Sequence, residues 1–434
     1  MTPEGAVSPA AHAAARPSVA VVGSGVSGLT AAYLLARTHD VTLFEGDDRL
    51  GGHAHTHDLT ASDGTPQAVD SGFIVHNDRT YPMLRKLFGE LAIDVHPTEM
   101  SMSVACDGCG LEYAGGRGIR GILAQPRRLF DPKFVRMLMQ VKRFHRRAHA
   151  LLRSATADDT TSYGEFLRRE QFSEHFIAHY AVPVVACVWS SGHDAALAYP
   201  ARYLFRFLDQ HGLLQVTGSP QWFTVIGGSR TYVERIGALL PDVRRGQGVT
   251  DVTRHPDGVD VRDSGGRVTR FDRVVIATHA DQALGLLTDP SDAEVQTLKA
   301  FTYSANEATL HTDASVLPAT AAARSSWNYR LSSCSAQAGS PVVTYWMNRL
   351  QGLDSPDEFL VTLNAGGAID TAAVRRVMQY EHPLYTAEAV AAQPGLAALA
   401  TDRTVYAGAY HGWGFHEDGC RSGVLAAQHF GVTW

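Results

Sequence analysis

Long apolar runs are missing from this 434-residue chain. The longest, Ala181–Trp189, contains a proline and falls far short of the roughly 20 residues that a membrane-spanning helix needs. Residues 1–17 are rich in Ala and Pro but lack the continuous apolar core of a signal peptide, so they read as a loose leader. Cysteine is scarce and odd in number (Cys106, Cys109, Cys187, Cys334, Cys420), which excludes a disulfide-built fold and fits a reducing cytoplasm. Lysine is nearly absent: Lys86, Lys133, Lys142 and Lys299 are the only ones among 38 basic residues. Net charge is −6, so no global basic field points to nucleic acid. No Ser/His/Asp order competes for a hydrolytic role. Cys106-Asp107-Gly108-Cys109 is a C-x-x-C, yet no second Cys or His pair stands at zinc spacing and a thioredoxin-like setting is missing. These cysteines are read as hairpin residues, and no metal is expected.

What the chain does have is glycine, in one telling place. Val19–Val22 has the length of a strand, Gly23-Ser24-Gly25-Val26-Ser27-Gly28 follows, and Leu29–Ala36 is rich in helix formers. A second strand, Val41–Phe44, ends in Glu45. Strand, G-x-G-x-x-G, helix, strand and acid in that order predict a dinucleotide site. Gly23 permits the tight turn, Gly25 lets backbone approach a pyrophosphate, and Gly28 lets the helix pack on the strand. The helix N-terminus then offers free N–H groups to the phosphates. Glu45, 17 residues after Gly28, is placed to accept from a ribose and would repel a 2′-phosphate.

The residues that follow, Glu45-Gly46-Asp47-Asp48-Arg49-Leu50-Gly51-Gly52-His53, resemble the E-x-x-x-R-x-G-G segment of amine-oxidase-type flavoproteins, the superfamily of monoamine oxidases and phytoene desaturases. That resemblance implies FAD, with Ser24, Ser27, Arg49, Gly51, Gly52 and His53 in the phosphate-binding turns. It places Gly72, Phe73, Val75 and His76 beside the isoalloxazine and Val249 at the adenine. Near the C-terminus, Gly408 and Gly414-Phe415-His416-Glu417 resemble the family's closing motif, where a helix N-terminus faces the flavin pyrimidine carbonyls and stabilises negative charge there. The segments Asp70–Asn77, Trp327–Arg330, Tyr345–Leu350 and Gly414–Gly419 look like a bacterial branch whose genes often stand beside cyclopropane-fatty-acyl-phospholipid synthase genes. The association implies acyl-chain oxidation; it is not read from these residues.

The expected fold class is α/β, a Rossmann-type FAD-binding domain with a mixed-sheet and helical substrate domain. The chain is expected to cross between them: leader 1–17, cofactor domain 18–85, helical substrate region 86–217, cofactor domain 218–290, substrate sheet 291–399 and cofactor domain 400–434. Val69–Asn77 reads as one strand, and Arg273–Thr278 as the strand that closes the dinucleotide fold. Residues 117–153 hold 11 Lys/Arg against the single acid Asp131, with apolar residues interleaved at helical spacing. This basic amphipathic segment suits a cytoplasmic protein docked on the anionic inner face of the membrane, or a solvated face paired with Glu165, Glu170 and Glu174.

Amine oxidases commonly use a lysine that holds a water near N5, and here only Lys299 stands near the matching strand. Phe415 falls at a position that walls the amine in the family, with Trp413 and Tyr410 close by. A desaturation needs a base for the second proton, and His76 or His411 is the candidate. His53, His76 and Cys420 lie near matched cofactor positions but carry no mark of covalent attachment. Three activities stay open: hydride removal from a lipid-linked aliphatic substrate, oxidation of an amine or small metabolite, and non-redox isomerisation. Oligomeric state is not legible.

Overall fold

The computed structural model describes residues 16–154, 159–189, 192–215, 218–335 and 342–434. Most of the leader therefore lies outside the described residues.

A five-stranded parallel sheet is the frame of the cofactor domain. Its order is Asp242–Arg244, Asp40–Phe44, Ser18–Val22, Arg273–Ile276, Thr404–Tyr406. Val19 pairs with both Val41 and Arg273, so the first strand sits centrally with its apolar residues buried. Such two-sided burial is why it reads as a continuous Val/Ala run and not as an alternating one. Thr404–Tyr406, not Arg273–Thr278, forms the outer edge beyond the glycine turn, which corrects the expectation for the closing strand. The Val26–Leu35 helix packs against the C-terminal His416–His429 helix, joining the two ends of the chain. A three-stranded meander, Val249–His255, Gly258–Asp263 and Val268–Phe271, covers part of the sheet.

The second frame is a seven-stranded mixed sheet. Its order is Val374–Leu384, Thr302–His311, Leu360–Leu363, Val342–Trp346, Trp327–Leu331, Met102–Cys106, Leu111–Gly115. The hairpin expected around Cys106 and Cys109 belongs to it, as the last two strands. A helical layer lies against this sheet, anchored by Pro132–Ser154, whose buried Phe134, Met137, Phe144, Ala148 and Leu151 recur at helical spacing. The apolar run Ala181–Trp189 is helical from Val182 to Trp189, continuing straight out of a π-helical turn at Ile177–Ala181.

Val69–Asn77 is not one strand. Pro66–Asp70 pairs with Thr56–Thr60, the chain turns, and Val75–Asn77 pairs with Trp222–Val225. Asp70 supplies the physical reason. Its fully buried carboxylate accepts from Thr56 Oγ1 (2.5 Å), Ser229 N (3.0 Å), Ser229 Oγ (2.8 Å) and Gln351 Nε2 (3.1 Å), and this hub holds the chain where it bends. Burial pushes the Asp70 carboxyl up to about 6.

The basic segment is three pieces: Gly118–Ile122, a 3-10 turn at Pro126–Phe130 and the Pro132–Ser154 helix. Of its proposed acidic partners, Glu170 takes Arg147 and Arg169. Glu165 instead caps its own helix through Ser162 N. Arg120, Arg127, Lys133, Arg136, Lys142, Arg146 and Arg153 are exposed and make no ion pair among the described residues. No helix among those residues is long and apolar enough to cross a membrane.

Three cysteines and a histidine converge at one point although spacing along the chain shows no ligand pattern. Pairing of Trp327–Leu331 with Met102–Cys106 carries Cys334 to the C-x-x-C turn, and the helical layer brings His179 to the same point.

Candidate functional site

The glycine turn has the geometry its sequence implies. Gly23 has φ +97°, and a Cβ there would stand 2.7 Å from Ala277 O. A Cβ on Gly28 would meet Gly23 O at 1.9 Å, whereas one on Gly25 would meet nothing within 4 Å. The side of the turn at Gly25 is thus open and the side at Gly28 closed. Gly25 caps the Val26–Leu35 helix without a side-chain hydrogen bond, which leaves the first-turn N–H groups free for an anion.

A second glycine turn faces the first. Gly51 and Gly52 have φ +111° and +55°, and a Cβ on Gly52 would come within 3.2 Å of Gly25 Cα. Gly51 N donates to Ser24 O and Oγ at 3.1 Å each, and Arg49 Nη1 donates to Gly52 O at 2.8 Å. Glu45 Oε2 accepts from Ser24 N (2.9 Å) and Ser24 Oγ (2.5 Å), so the acid stands beside the turn. Val249 opens a strand at the same end, where Gln247 N donates to Glu45 O at 2.9 Å. Ser27 is buried inside the helix, with the backbone of Gly423 pressed on it.

His53 lies between the two frames. Its ring stands 5.0 Å from Tyr380 and 5.4 Å from His382, and burial holds it well below the usual histidine range. Gly72 presses on it so closely that a Cβ would meet His53 O at 2.1 Å, and Phe73 N donates to the same oxygen at 2.8 Å. Phe73 stacks on His416 at 3.7 Å, and His416 Nε2 is 3.1 Å from Tyr232 Oη. Val75 is half-buried on the short strand that also carries His76. His76 is walled by Tyr81, Phe88 and Phe223. Burial lowers His76 and His411 to about 4 and His416 to about 3, so all three are neutral at pH 7.

The closing helix is prepared by Asp418, which accepts from Trp413 N (3.0 Å) and Phe415 N (3.1 Å). Gly408 is followed by the Ala409–His411 turn, and Gly414, φ +89°, approaches Tyr385 so that a Cβ would stand 2.7 Å from its Oη. The side chain of Glu417, expected at the cofactor, is engaged within the protein. Its carboxylate accepts from Met83 N (3.1 Å) and Leu84 N (3.0 Å), capping the Pro82–Glu90 helix. Cys420 is buried against the Val26–Leu35 helix. Lys299 sits exposed at the end of the Asp292–Leu298 helix, and the other three lysines are exposed too.

The aromatic wall comes from residues that local sequence did not single out. Phe415 stacks on Phe207 at 4.7 Å and lies 6.2 Å from Trp189; Tyr203 contacts Trp413 (5.9 Å) and stacks on Tyr385 (5.3 Å). Trp189, Tyr203, Phe207 and Tyr385 come from three separate segments, so nothing short of the tertiary fold could group them. Two aromatics of the substrate sheet are engaged elsewhere. Tyr329 is buried in the core beneath the helical layer, and Trp346 Nε1 donates to Glu358.

His53 Nε2, His76 Nδ1, Tyr385 Oη, Tyr410 Oη, His411 Nε2 and Trp413 Nε1 are buried without a protein partner. Unpaired buried polar atoms are costly and rare, and all of these but Tyr385 Oη lie on segments assigned to the cofactor domain, while others such as His175 Nε2 and Arg202 Nε lie elsewhere. With the open glycine turn, they fit a polar cofactor threaded between the two frames.

Comparison with known proteins agrees. The profile of the family described as flavin containing amine oxidoreductase matches residues 26–360. A Mycobacterium tuberculosis protein described as a flavin-containing monoamine oxidase, AofH, is 28% identical over 257 residues, which is 57% of this chain and 54% of that protein. The chain thus matches about half the length of that curated relative. Cyclohexylamine oxidase from Brevibacterium oxydans shares the fold with a TM-score of 0.67 at 16% identity, covering 96% of this chain and 98% of the other. A fatty acid isomerase from P. acnes that produces CLA shares it with a TM-score of 0.65 at 16% identity, covering 95% and 99%.

Proposed function

The chain belongs to the flavin containing amine oxidoreductase family and is an FAD-dependent oxidoreductase, and from that premise we propose that it removes hydride from an aliphatic chain of a lipid drawn from an anionic membrane. FAD supplies hydride acceptance at N5. In this reading Gly23, Gly25, Gly28, Gly51 and Gly52 cradle its phosphates, and Glu45 accepts from its ribose. Phe73, His53 and the N-terminus of the His416–His429 helix line the flavin. Trp189, Phe207 and Phe415 exclude water and hold the chain, while neutral His76 or His411 accepts the proton that a desaturation releases.

One observation carries the choice of substrate. Ile119, Leu129, Phe130 and Met139 are large apolar side chains left exposed within a single stretch, with Phe130 91% exposed. They are interleaved with the unpaired Arg120, Arg127, Lys133 and Arg136. Apolar tips among basic residues match the interface of an anionic bilayer, where each cation contributes about 1 kcal/mol. Fold likeness does not choose between substrates, because an amine oxidase and a fatty acid isomerase resemble the chain about equally.

The alternative is amine oxidation, favoured by the aromatic wall of Tyr203, Tyr385, Trp413 and Phe415. Against it stands the exposure of all four lysines, which leaves no lysine to hold a water at N5. Anaerobic stopped-flow absorbance decides. Bleaching of the flavin by anionic vesicles with methyl-branched or cyclopropane acyl chains, and its weakening by salt or by Phe130→Glu, is the expected result. Bleaching by an amine panel and not by vesicles refutes the lipid reading. Intact FAD binding with no bleaching by either would favour a non-redox isomerase.

A further inference from the structure

Three cysteines and a histidine meet at the far edge of the substrate sheet, away from the flavin segments. Cys106 ends the Met102–Cys106 strand and Cys109 stands in the turn before Leu111–Gly115. Asp107 N donates to Leu331 O at 2.8 Å, and Gly108 packs so tightly that a Cβ would stand 3.0 Å from Ser333 Cα and Cys334 N. That close approach delivers Cys334 to the turn. His179 arrives from the π-helical segment Ile177–Ala181, pinned by Tyr113 Oη donating to His179 O at 2.7 Å. π-turns of this kind recur at functional positions.

We propose that Cys106, Cys109, His179 and Cys334 form a closed structural zinc site. Their ligand atoms all lie within 4.8 Å of one another. Cys106 Sγ and Cys334 Sγ are 3.8 Å apart, and Cys109 Sγ and His179 Nε2 are 3.7 Å apart. Zn–S of about 2.3 Å and Zn–N of about 2.0 Å in a tetrahedron require edges of roughly 3.8 Å for S···S and roughly 3.5 Å for S···N. These two separations match edges of a zinc tetrahedron, and the other four ligand pairs lie within 4.8 Å, close enough to draw in around an ion. A disulfide would bring two sulfurs to about 2.05 Å and leave a third cysteine and the histidine unused.

The surroundings fit as well. His179 Nδ1 lies 3.0 Å from His175 O, so its proton is spent on that carbonyl and the Nε2 lone pair is free to bind. Gly110, φ +64°, turns the chain back after Cys109, and Gly110 N donates to Cys106 O at 2.8 Å, closing a compact knuckle. Three thiolates and one neutral imidazole around Zn²⁺ carry a net charge of −1. Arg128, whose Nη2 donates to Cys109 O at 2.6 Å, supplies compensating charge, as does nearby Lys133. On binding, each thiol gives its proton to solvent as its S–Zn bond forms, and no electron is transferred. Four protein ligands leave no open position, which marks the site as structural. The metal would tie the edge hairpin, the loop after Trp327–Leu331 and the helical layer into one unit.

The test is the metal content of the FAD-loaded protein purified from zinc-supplemented culture. About one zinc per chain is expected, lost in Cys334→Ser, whose cysteine is exposed and whose change spares the core. Independently of any variant, Co²⁺ exchange should give tetrahedral ligand-field bands at wavelengths beyond the flavin absorption. Wild-type protein without zinc and without those cobalt bands overturns the proposal. So does an intact mass showing a Cys106–Cys334 disulfide, or full zinc retention in both Cys334→Ser and Cys109→Ser.

Discussion

Gly25→Ala and Gly28→Ala differ by one methyl each, three positions apart, and the structure assigns them opposite consequences. At Gly25 the backbone has φ −60° and ψ 174°, which alanine adopts freely, and the new Cβ meets nothing within 4 Å. The apoprotein should keep its stability or gain up to about 1 kcal/mol from a less flexible unfolded chain. The methyl nevertheless fills the space that the FAD pyrophosphate needs to reach the helix N–H groups. Losing one charge-assisted hydrogen bond costs about 1.5–3 kcal/mol, or roughly 10- to 150-fold in Kd. At Gly28 the Cβ would stand 1.9 Å from Gly23 O, a backbone atom, so helix and turn must separate. Overpacking of that kind costs about 1–3 kcal/mol, and it should lower the Tm of the apoprotein directly. Flavin fluorescence titration of apoprotein reads the first effect and differential scanning fluorimetry reads the second. If Gly25→Ala binds FAD as tightly as wild type, or lowers the apoprotein Tm as much as Gly28→Ala, the account of the turn is wrong.

Three further outcomes follow from the same geometry. Glu417→Gln should lower Tm by weakening the cap on the Pro82–Glu90 helix, a loss of about 1 kcal/mol, with FAD affinity unchanged in titration; a large loss of affinity would return Glu417 to the cofactor. Tyr385→Phe removes a buried hydroxyl that has no protein partner, so the apoprotein Tm should hold or rise while turnover falls, and a clear drop in Tm would refute it. Acid should destabilise the apoprotein. His55, His57, His76, His382, His411 and His416 are lowered by burial to about 3 or 4 in the fold. Their contribution is complete above the unfolded value near 6.5 and is lost as pH falls toward 4, at about 1.4 kcal/mol per pH unit for each extra proton bound on unfolding. Asp70, Asp418 and Glu417, raised to about 6, 6 and 7, act in the opposite direction over the same range but are fewer. A Tm that is flat or rises from pH 6.5 to 4 would contradict this balance.

Sequence alone determined the parts of this protein whose physics is local. The glycine turn, its helix and the strand ending in Glu45 lie within about 30 residues, and each constraint acts between neighbours: a tight turn, a free helix end, a close strand–helix contact. The same holds for the closing glycine-to-helix turn and for the charge bias of residues 117–153. The tertiary structure decided whatever depends on segments far apart in the chain. It broke Val69–Asn77 at Asp70, because that carboxylate is satisfied by Thr56, Ser229 and Gln351. It set the Glu417 carboxylate to cap a helix more than 300 residues earlier. It also gathered Trp189, Tyr203, Phe207 and Tyr385 around Phe415 and Trp413. The cysteines show the division most plainly. Cys106-x-x-Cys109 has no metal spacing in sequence, since His179 stands 70 residues on and Cys334 lies 228 residues from Cys106. Only strand pairing across the seven-stranded sheet, with a helical layer laid against it, brings the four ligand atoms within 4.8 Å of one another, because spacing along the chain carries no information about what packs against what.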